Sequence, residues 1–258
     1  MIERVHIEAA HGSMAGDWFT CNGQRERIVI LLHGFLSSKE DMRFITESLA
    51  KSGIDSLAID LNGHGESGGD LYNFTVSRAV EDCLSAISFV LDNGYKSVGI
   101  FGFSIGGFIA LNAVREGARN IKALALGAPV SSFSGVFEKV DLNDWKKTNV
   151  LNSTGLGLSI RLNYAFYEDG LTNDGYARFS RIGVPVLIIH GTNDDVVPIS
   201  QSEALLKSLK NANLVRVTGA GHSVFSNGAG GEALDSLVEW LSGQLLSGCQ
   251  RTCTKKDT

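Results

Sequence analysis

Cysteine is scarce and scattered. Its four residues, Cys21, Cys83, Cys249 and Cys253, are too few to staple a chain of this length, which excludes a disulfide scaffold. Cys249 and Cys253 stand in a polar stretch with no neighbouring histidine, a poor zinc site. Long apolar runs are missing as well. Residues 28–32 are typical of the longest, whereas a membrane-spanning helix needs roughly 20 apolar residues, so no membrane partner is predicted. Nor is there a surplus of positive charge: 23 lysines and arginines face 28 aspartates and glutamates, a net charge of −5, which excludes electrostatic capture by nucleic acid or anionic lipid. Residues 1–12 hold Glu3, Arg4 and Glu8 where a secretory leader needs an apolar stretch, so the chain as it stands reads as cytoplasmic.

Apolar residues and glycine are what the chain has in quantity. With 258 residues, 43% hydrophobic and 20% charged, it can bury the core of one domain and is neither disordered nor fibrous. Glycine numbers 30 against 3 prolines, and the glycines gather at a few junctions.

Short β-rich runs over residues 28–32, 56–60, 98–101, 123–126, 186–190 and 214–217 alternate with helical patterns. That alternation predicts an α/β fold: a mostly parallel central sheet with helices on both faces. Residues 3–9 and 15–21, around Gly12, read as a hairpin at the sheet edge. Helices are predicted over 39–52, capped by Ser38 with Asp41, over 75–93, after a capping box of Ser200 with Glu203, and over 232–246. Residues 131–183 break the rhythm. They are far more than a strand-to-strand crossover needs and hold Trp145, Tyr164, Phe166, Tyr167, Tyr176 and Phe179. The expected organisation is therefore a core of 1–130 and 184–246, an inserted lid over 131–183, and a disordered tail over 247–258.

The strongest chemical signal is Gly102-Phe103-Ser104-Ile105-Gly106-Gly107, after one strand and before a helical pattern. Reversing direction there in one step strains the central residue and projects its side chain outward, flanked by glycines because a Cβ would collide with the turn. Ser104 is the candidate nucleophile. A hydroxyl is a poor nucleophile at neutral pH and needs a base with an acid to orient it. His222, in the small-residue loop Thr218-Gly219-Ala220-Gly221-His222 past a strand's carboxyl end, is the candidate base. His6 and His11 belong to the edge hairpin, and His190 reads as a structural histidine. Two adjacent aspartates, Asp194 and Asp195, compete to be the acid. Oxyanion donors are expected from the backbone N–H of Ile105, next to the nucleophile, and of Phe35, in His33-Gly34-Phe35. Gly34 lets the chain come close to substrate, His33 reads as a brace, and Asp60, His64 and Glu66 read as turn-forming and packing residues.

These segments, with Asn62-Gly63-His64-Gly65-Glu66-Ser67 and Val197-Pro198, resemble the α/β-hydrolase superfamily along nearly the whole chain. Within it, residues 62–67, Asn73-Phe74-Thr75-Val76 and the short lid resemble the cinnamoyl and feruloyl esterases. The resemblance implies a serine carboxylic-ester hydrolase working through an acyl-enzyme, with Asp194 as the acid, a small-molecule ester as substrate, and no metal or cofactor. It also implies lid contacts to substrate, for which Asp141, Asp144, Tyr164 and Tyr167 are the expected counterparts. Phe103 and Ile105 depart from the family by making the pocket floor more apolar. The same three side chains serve amides and thioesters, so an aminopeptidase, with Glu138, Asp141 and Asp144 receiving an ammonium, or an acyl thioesterase is the alternative. A non-catalytic ligand receptor of the same fold is the other.

Overall fold

The computed structural model describes residues 1–21, 25–153, 157–225 and 229–247. Strands β1 (Ile2–Ala9) and β2 (Gly12–Phe19) make the edge hairpin, and β3 (Arg27–Leu32), α1 (Arg43–Lys51), β4 (Asp55–Ile59), α2 (Val76–Asp92), β5 (Ser97–Phe103), α3 (Ile105–Arg115) and β6 (Ile121–Gly127) follow. Next come α4 (Phe133–Val136), α5 (Leu142–Thr148), the hairpin β7 (Val150–Ser153) and β8 (Leu158–Arg161), α6 (Ala165–Asn173) and α7 (Tyr176–Phe179). The chain then returns through β9 (Val186–Gly191), α8 (Ile199–Ser208), β10 (Ala212–Val217) and α9 (Ala229–Ser247).

Eight strands form one sheet in the order β1-β2-β4-β3-β5-β6-β9-β10. From β4 to β10 every neighbouring pair is parallel, and β2 joins β4 antiparallel. The central strands are apolar on both sides because both faces are covered. One apolar cluster joins the sheet to α2, α3 and α8, and a second, on the other face, joins it to α1 and α9.

Two predicted caps are placed differently. Ser38 precedes a 3-10 turn, Lys39–Met42, and makes no side-chain cap; the carboxylate of Asp60 takes the Lys39 N–H at 2.7 Å instead, and α1 starts only at Arg43. Ser200 and Glu203 form no capping box, because α8 begins after Pro198 with no side-chain cap and Glu203 pairs with Arg216 at 2.9 Å. Thr75 does cap α2, accepting from Arg78 N–H.

Residues 131–183 fold as α4 to α7 with the β7–β8 hairpin between β6 and β9. Buried Phe133, Phe137, Trp145 and Phe166 pack against one another, and Trp145 donates its indole N–H to Leu162 O at 2.7 Å. The segment is tied to the core at its start, where Gln201 Oε1 of α8 accepts from Ser131 and Ser132 N–H, both at 2.9 Å. Residues 248–258, with Cys249, Cys253 and all but the first residue of the expected tail, lie outside the described residues.

Candidate active site

Ser104 sits on the step between β5 and α3. Its φ of 54° and ψ of −118° are values that residues other than glycine rarely adopt, a strain of about 1–3 kcal/mol. Neighbours hold it there: its N–H donates to Gly127 O at 2.9 Å, and its carbonyl accepts from Gly107 at 3.0 Å and Val130 at 3.1 Å. A Cβ on Gly102 would stand 2.3 Å from Gly106 O, and one on Gly106 would stand 2.5 Å from the carbonyl oxygens of Leu32 and His33. The second closeness presses the loop after β3 against the start of α3.

That loop carries Gly34 and Phe35. A Cβ on Gly34 would lie 3.2 Å from the Phe103 ring and 3.5 Å from Ser104 Cβ, so glycine brings the backbone close to the nucleophile. Buried His33 braces it, Nδ1–H donating to Gly34 O at 2.7 Å and Nε2 accepting from Leu61 N–H at 3.1 Å. Neither the Phe35 nor the Ile105 N–H donates to another backbone group among the described residues.

The acid loop after β9 and the histidine loop after β10 are laced together. A Cβ on Gly191 would stand 2.3 Å from Ala220 O and 2.5 Å from Gly221 O. Asn193 N–H donates to Ala220 O at 2.9 Å, and Gly219 N–H to Thr192 Oγ1 at 2.9 Å. The result is a continuous chain of bonds: His222 Nδ1 lies 2.7 Å from Asp194 Oδ2, and His222 Nε2 lies 3.0 Å from Ser104 Oγ. A carboxylate only accepts, so Nδ1 carries the proton and Nε2 is left as acceptor for the Ser104 hydroxyl. Of the two candidate aspartates, Asp194 is the one bonded to the imidazole; Asp195 is exposed.

Burial works to raise the Asp194 pKa, but bonds from His190, His222 and the Val197 N–H outweigh it and hold the carboxyl well below the usual carboxylate range. His190 is as buried as the sequence suggests, bonding Ser202 Oγ at 2.6 Å and Val197 O at 2.8 Å. Its Nε2 also stands 3.1 Å from Asp194 Oδ2, a contact the sequence reading missed although four-residue spacing across the tight loop carried the hint. Lys39 was missed without any sequence signal. Its ammonium, shut off from solvent, bonds Asp60 at 2.7 Å, Glu66 at 2.8 Å and Glu40 at 3.0 Å. Burial opposes its charge, yet these carboxylates carry its pKa above the ordinary value. Asp60 also accepts from the N–H of Lys39 and of Glu66, so it ties the loop after β4 to the one after β3.

A cavity of about 830 Å³ opens beside Ser104, lined by Gly34, Phe35, Ile105 and His222 and otherwise by mostly apolar side chains. The segment 131–183 supplies one wall through Phe133, Val136, Phe137, Leu151, Leu158 and Phe166. The structure does not bring Asp141, Asp144, Tyr164 or Tyr167 to this lining. Asp141 caps α5, accepting from Asn143 and Asp144 N–H at 3.0 Å each. Asp144 faces Asn152 at 3.4 Å. Tyr164 packs on Trp145 under Lys146, and Tyr167 packs on Phe137 and Trp145. The family resemblance implied substrate contacts for these four; here they close a helix end and a small core.

A family model, Hydrolase_4, described as "Serine aminopeptidase, S33", matches residues 23–152, half of the chain. The chain belongs to this family of α/β-hydrolases. A second model, for TAP-like protein, matches residues 174–241. Among curated relatives, AB hydrolase superfamily protein YisY of Bacillus subtilis is 24% identical, over 84% of this chain and 91% of its own. The monoacylglycerol lipase of Mycolicibacterium smegmatis is 22% identical, over 95% and 100%. Among solved structures, ferulic acid-bound Est1E from Butyrivibrio proteoclasticus superposes with a TM-score of 0.80 at 22% identity, covering 94% of this chain and 98% of that one. At that identity it shows the α/β-hydrolase fold.

Proposed function

We propose that the chain is a serine carboxylic-ester hydrolase. The bonded series Ser104 Oγ, His222 Nε2, His222 Nδ1 and Asp194 Oδ2, at 3.0 and 2.7 Å, carries this reading. In it, His222 takes the Ser104 proton as Oγ attacks the ester carbonyl, and the N–H groups of Phe35 and Ile105 receive the oxyanion. The imidazolium then gives its proton to the leaving alcohol oxygen. Water, deprotonated by the same imidazole, releases the acid and restores the hydroxyl. Asp194 holds the ring and balances its charge. The segment 131–183 acts as the lid, since it walls the cavity over Ser104.

The apolar cavity favours a neutral ester with an apolar acyl group, alkyl or hydroxycinnamoyl. An aminopeptidase would need a free carboxylate at the cavity for the substrate ammonium. Glu138, Asp141 and Asp144 are absent from the lining, and of the acids that line it Glu40 pairs with Lys39 and Glu47 with Arg43, while Asp41 accepts from Ser37, a neutral hydroxyl. The test is hydrolysis of p-nitrophenyl butyrate beside methyl ferulate, an aminoacyl-nitroanilide and an acyl-CoA. Ester turnover lost in Ser104→Ala, together with fluorophosphonate labelling of the parent protein, is the expected result. Turnover surviving in Ser104→Ala would remove the nucleophile, and an unlabelled, inactive parent would leave a receptor of this fold.

A further inference from the structure

The Phe35 N–H sits in a turn closed by a long bond. Gly34 O accepts from Ser37 N–H at 3.3 Å, which makes residues 34–37 a four-residue turn with Phe35 and Leu36 at its centre. Leu36 has a φ of 58°, the left-handed conformation in which the third place of such a turn favours glycine or asparagine and which a leucine resists. A strained residue of this kind persists only where its surroundings over-determine it. Support must therefore come from the two ends of the turn.

Both ends are fastened to the chain just beyond β4. Before the turn, His33 Nε2 accepts from Leu61 N–H at 3.1 Å. After it, Asp60 takes Lys39 twice, Oδ1 accepting from the backbone N–H and Oδ2 from the ammonium, both at 2.7 Å. The same Oδ2 accepts from Glu66 N–H at 2.9 Å. Residues 60–67 are shaped as a socket for this carboxylate: a Cβ on Gly65 would stand 2.3 Å from it. Ser67 Oγ donates to Asp60 O at 2.6 Å and accepts from Ala15 N–H of β2 at 2.8 Å, which fixes the socket to the edge hairpin. Glu66, with its side chain half exposed, closes it over Lys39 at 2.8 Å.

Stability alone is a poor reason for such a pair. Both side chains are closed to solvent, and stripping water from two charges cancels much of their attraction, so apolar replacements often serve a fold as well. Resting on the ester-hydrolase reading, we propose that Lys39 is a positioning residue: seated on Asp60, it holds the turn 34–37 so that the Phe35 N–H meets the oxyanion. Lys39 does not line the cavity, so it acts through the backbone that leads back to Phe35. An oxyanion donor is aimed at where charge develops and not at the bound carbonyl, so the effect belongs to the transition state.

The experiment uses Lys39→Met/Asp60→Asn, which leaves neither charge of the pair unpaired, with p-nitrophenyl butyrate. The asparagine has one accepting oxygen where the carboxylate used two, so the end of the turn is released. kcat should fall by about tenfold or more with KM within about twofold of the parent, the mark of a contact made only in the transition state. Inhibition by propyl trifluoromethyl ketone, whose adduct with Ser104 carries an oxyanion, should weaken by a like factor. The penalty should shrink in a Leu36→Asn background, where the left-handed backbone needs less support. Parent kcat in the folded double variant, a loss confined to KM or to the urea midpoint, or an equal penalty in both backgrounds would overturn the positioning role and leave the hydrolase reading standing.

If the double variant is not recovered folded, Glu66 decides. A severalfold fall in kcat at parent KM in Glu66→Ala, restored in Glu66→Gln, which keeps an oxygen for the ammonium, would support the role; parent kcat in Glu66→Ala would overturn it. If the parent protein hydrolyses no ester, the hydrolase reading falls and the role of Lys39 falls with it.

Discussion

His190 Nε2 stands 3.1 Å from Asp194 Oδ2, with both side chains closed to solvent. The same ring spans from Val197 O at 2.8 Å to Ser202 Oγ of α8 at 2.6 Å. A helix on one face of the sheet thereby fixes the loop that presents the carboxylate. His190→Leu would leave a buried carbonyl and a buried hydroxyl without partners, at a cost of about 1–3 kcal/mol each. The urea midpoint should fall accordingly. Ester turnover should fall through kcat more than KM, because Asp194 lies behind His222 and outside the cavity lining. An unchanged midpoint would show that the ring holds nothing.

Acid should find the pair His33 and His64 before it finds the carboxylates. Their rings lie 5.1 Å apart. Burial, then the neighbouring His33, lowers the His64 pKa to about 4, against about 6.5 in an unfolded chain. The unfolded state therefore binds this proton first, and stability present above pH 6.5 is lost as the pH falls from there to about 4. His33, also lowered by burial, adds to the slope with the same sign. His64→Phe, set among Phe35 and Phe74, should flatten the dependence by about 2 kcal/mol between pH 7 and 4.5 in urea unfolding. Parallel curves for parent and variant would place the acid sensitivity elsewhere.

Glycine at two nearby positions should behave very differently. Gly106→Ala drives a Cβ to 2.5 Å from two backbone oxygens, which cannot move without displacing the loop that carries Phe35. The expected outcome is loss of folded protein, or loss of activity with a lowered melting temperature. Gly34→Ala meets mainly the edge of the Phe103 ring at 3.2 Å, a side chain able to shift by tenths of an ångström. It should fold, with reduced kcat/KM. Measuring both variants by thermal melting and ester turnover separates backbone collision from crowding of the cavity.

Sequence alone was informative where one residue carries its own constraint. The run of residues 28–32 is apolar on both faces because helices cover both, and Gly102 and Gly106 mark the step because only glycine fits it. The choice between Asp194 and Asp195 was different in kind: adjacent residues of one type look alike in a string and differ only in which way the loop turns them. Lys39 is a stronger case. A buried ammonium is tolerable only because Asp60 and Glu66 reach it from another part of the chain and join the neighbouring Glu40, and no local pattern announces that convergence. The same limit explains Ser38 and Ser200, two good local caps left unused because Asp60 and Pro198 already define those helix starts.

The segment 131–183 gives the sharpest test of how polar side chains in a cavity wall should be interpreted. Asp141 has the appearance of a substrate contact, yet both of its bonds go to the first N–H groups of α5, at 3.0 Å. Those amides have no other partner within the helix, and an aspartate at this position also meets the positive end of the helix dipole. Asp141→Ala should therefore cost about 1 kcal/mol of stability, and KM for a butyrate ester should stay at the parent value, because the side chain does not line the cavity. Asp141→Asn, which keeps the accepting oxygen, should recover most of the stability. A rise in KM in either variant, with the urea midpoint unmoved, would return Asp141 to the substrate and require the segment to adopt another arrangement when the ester is bound.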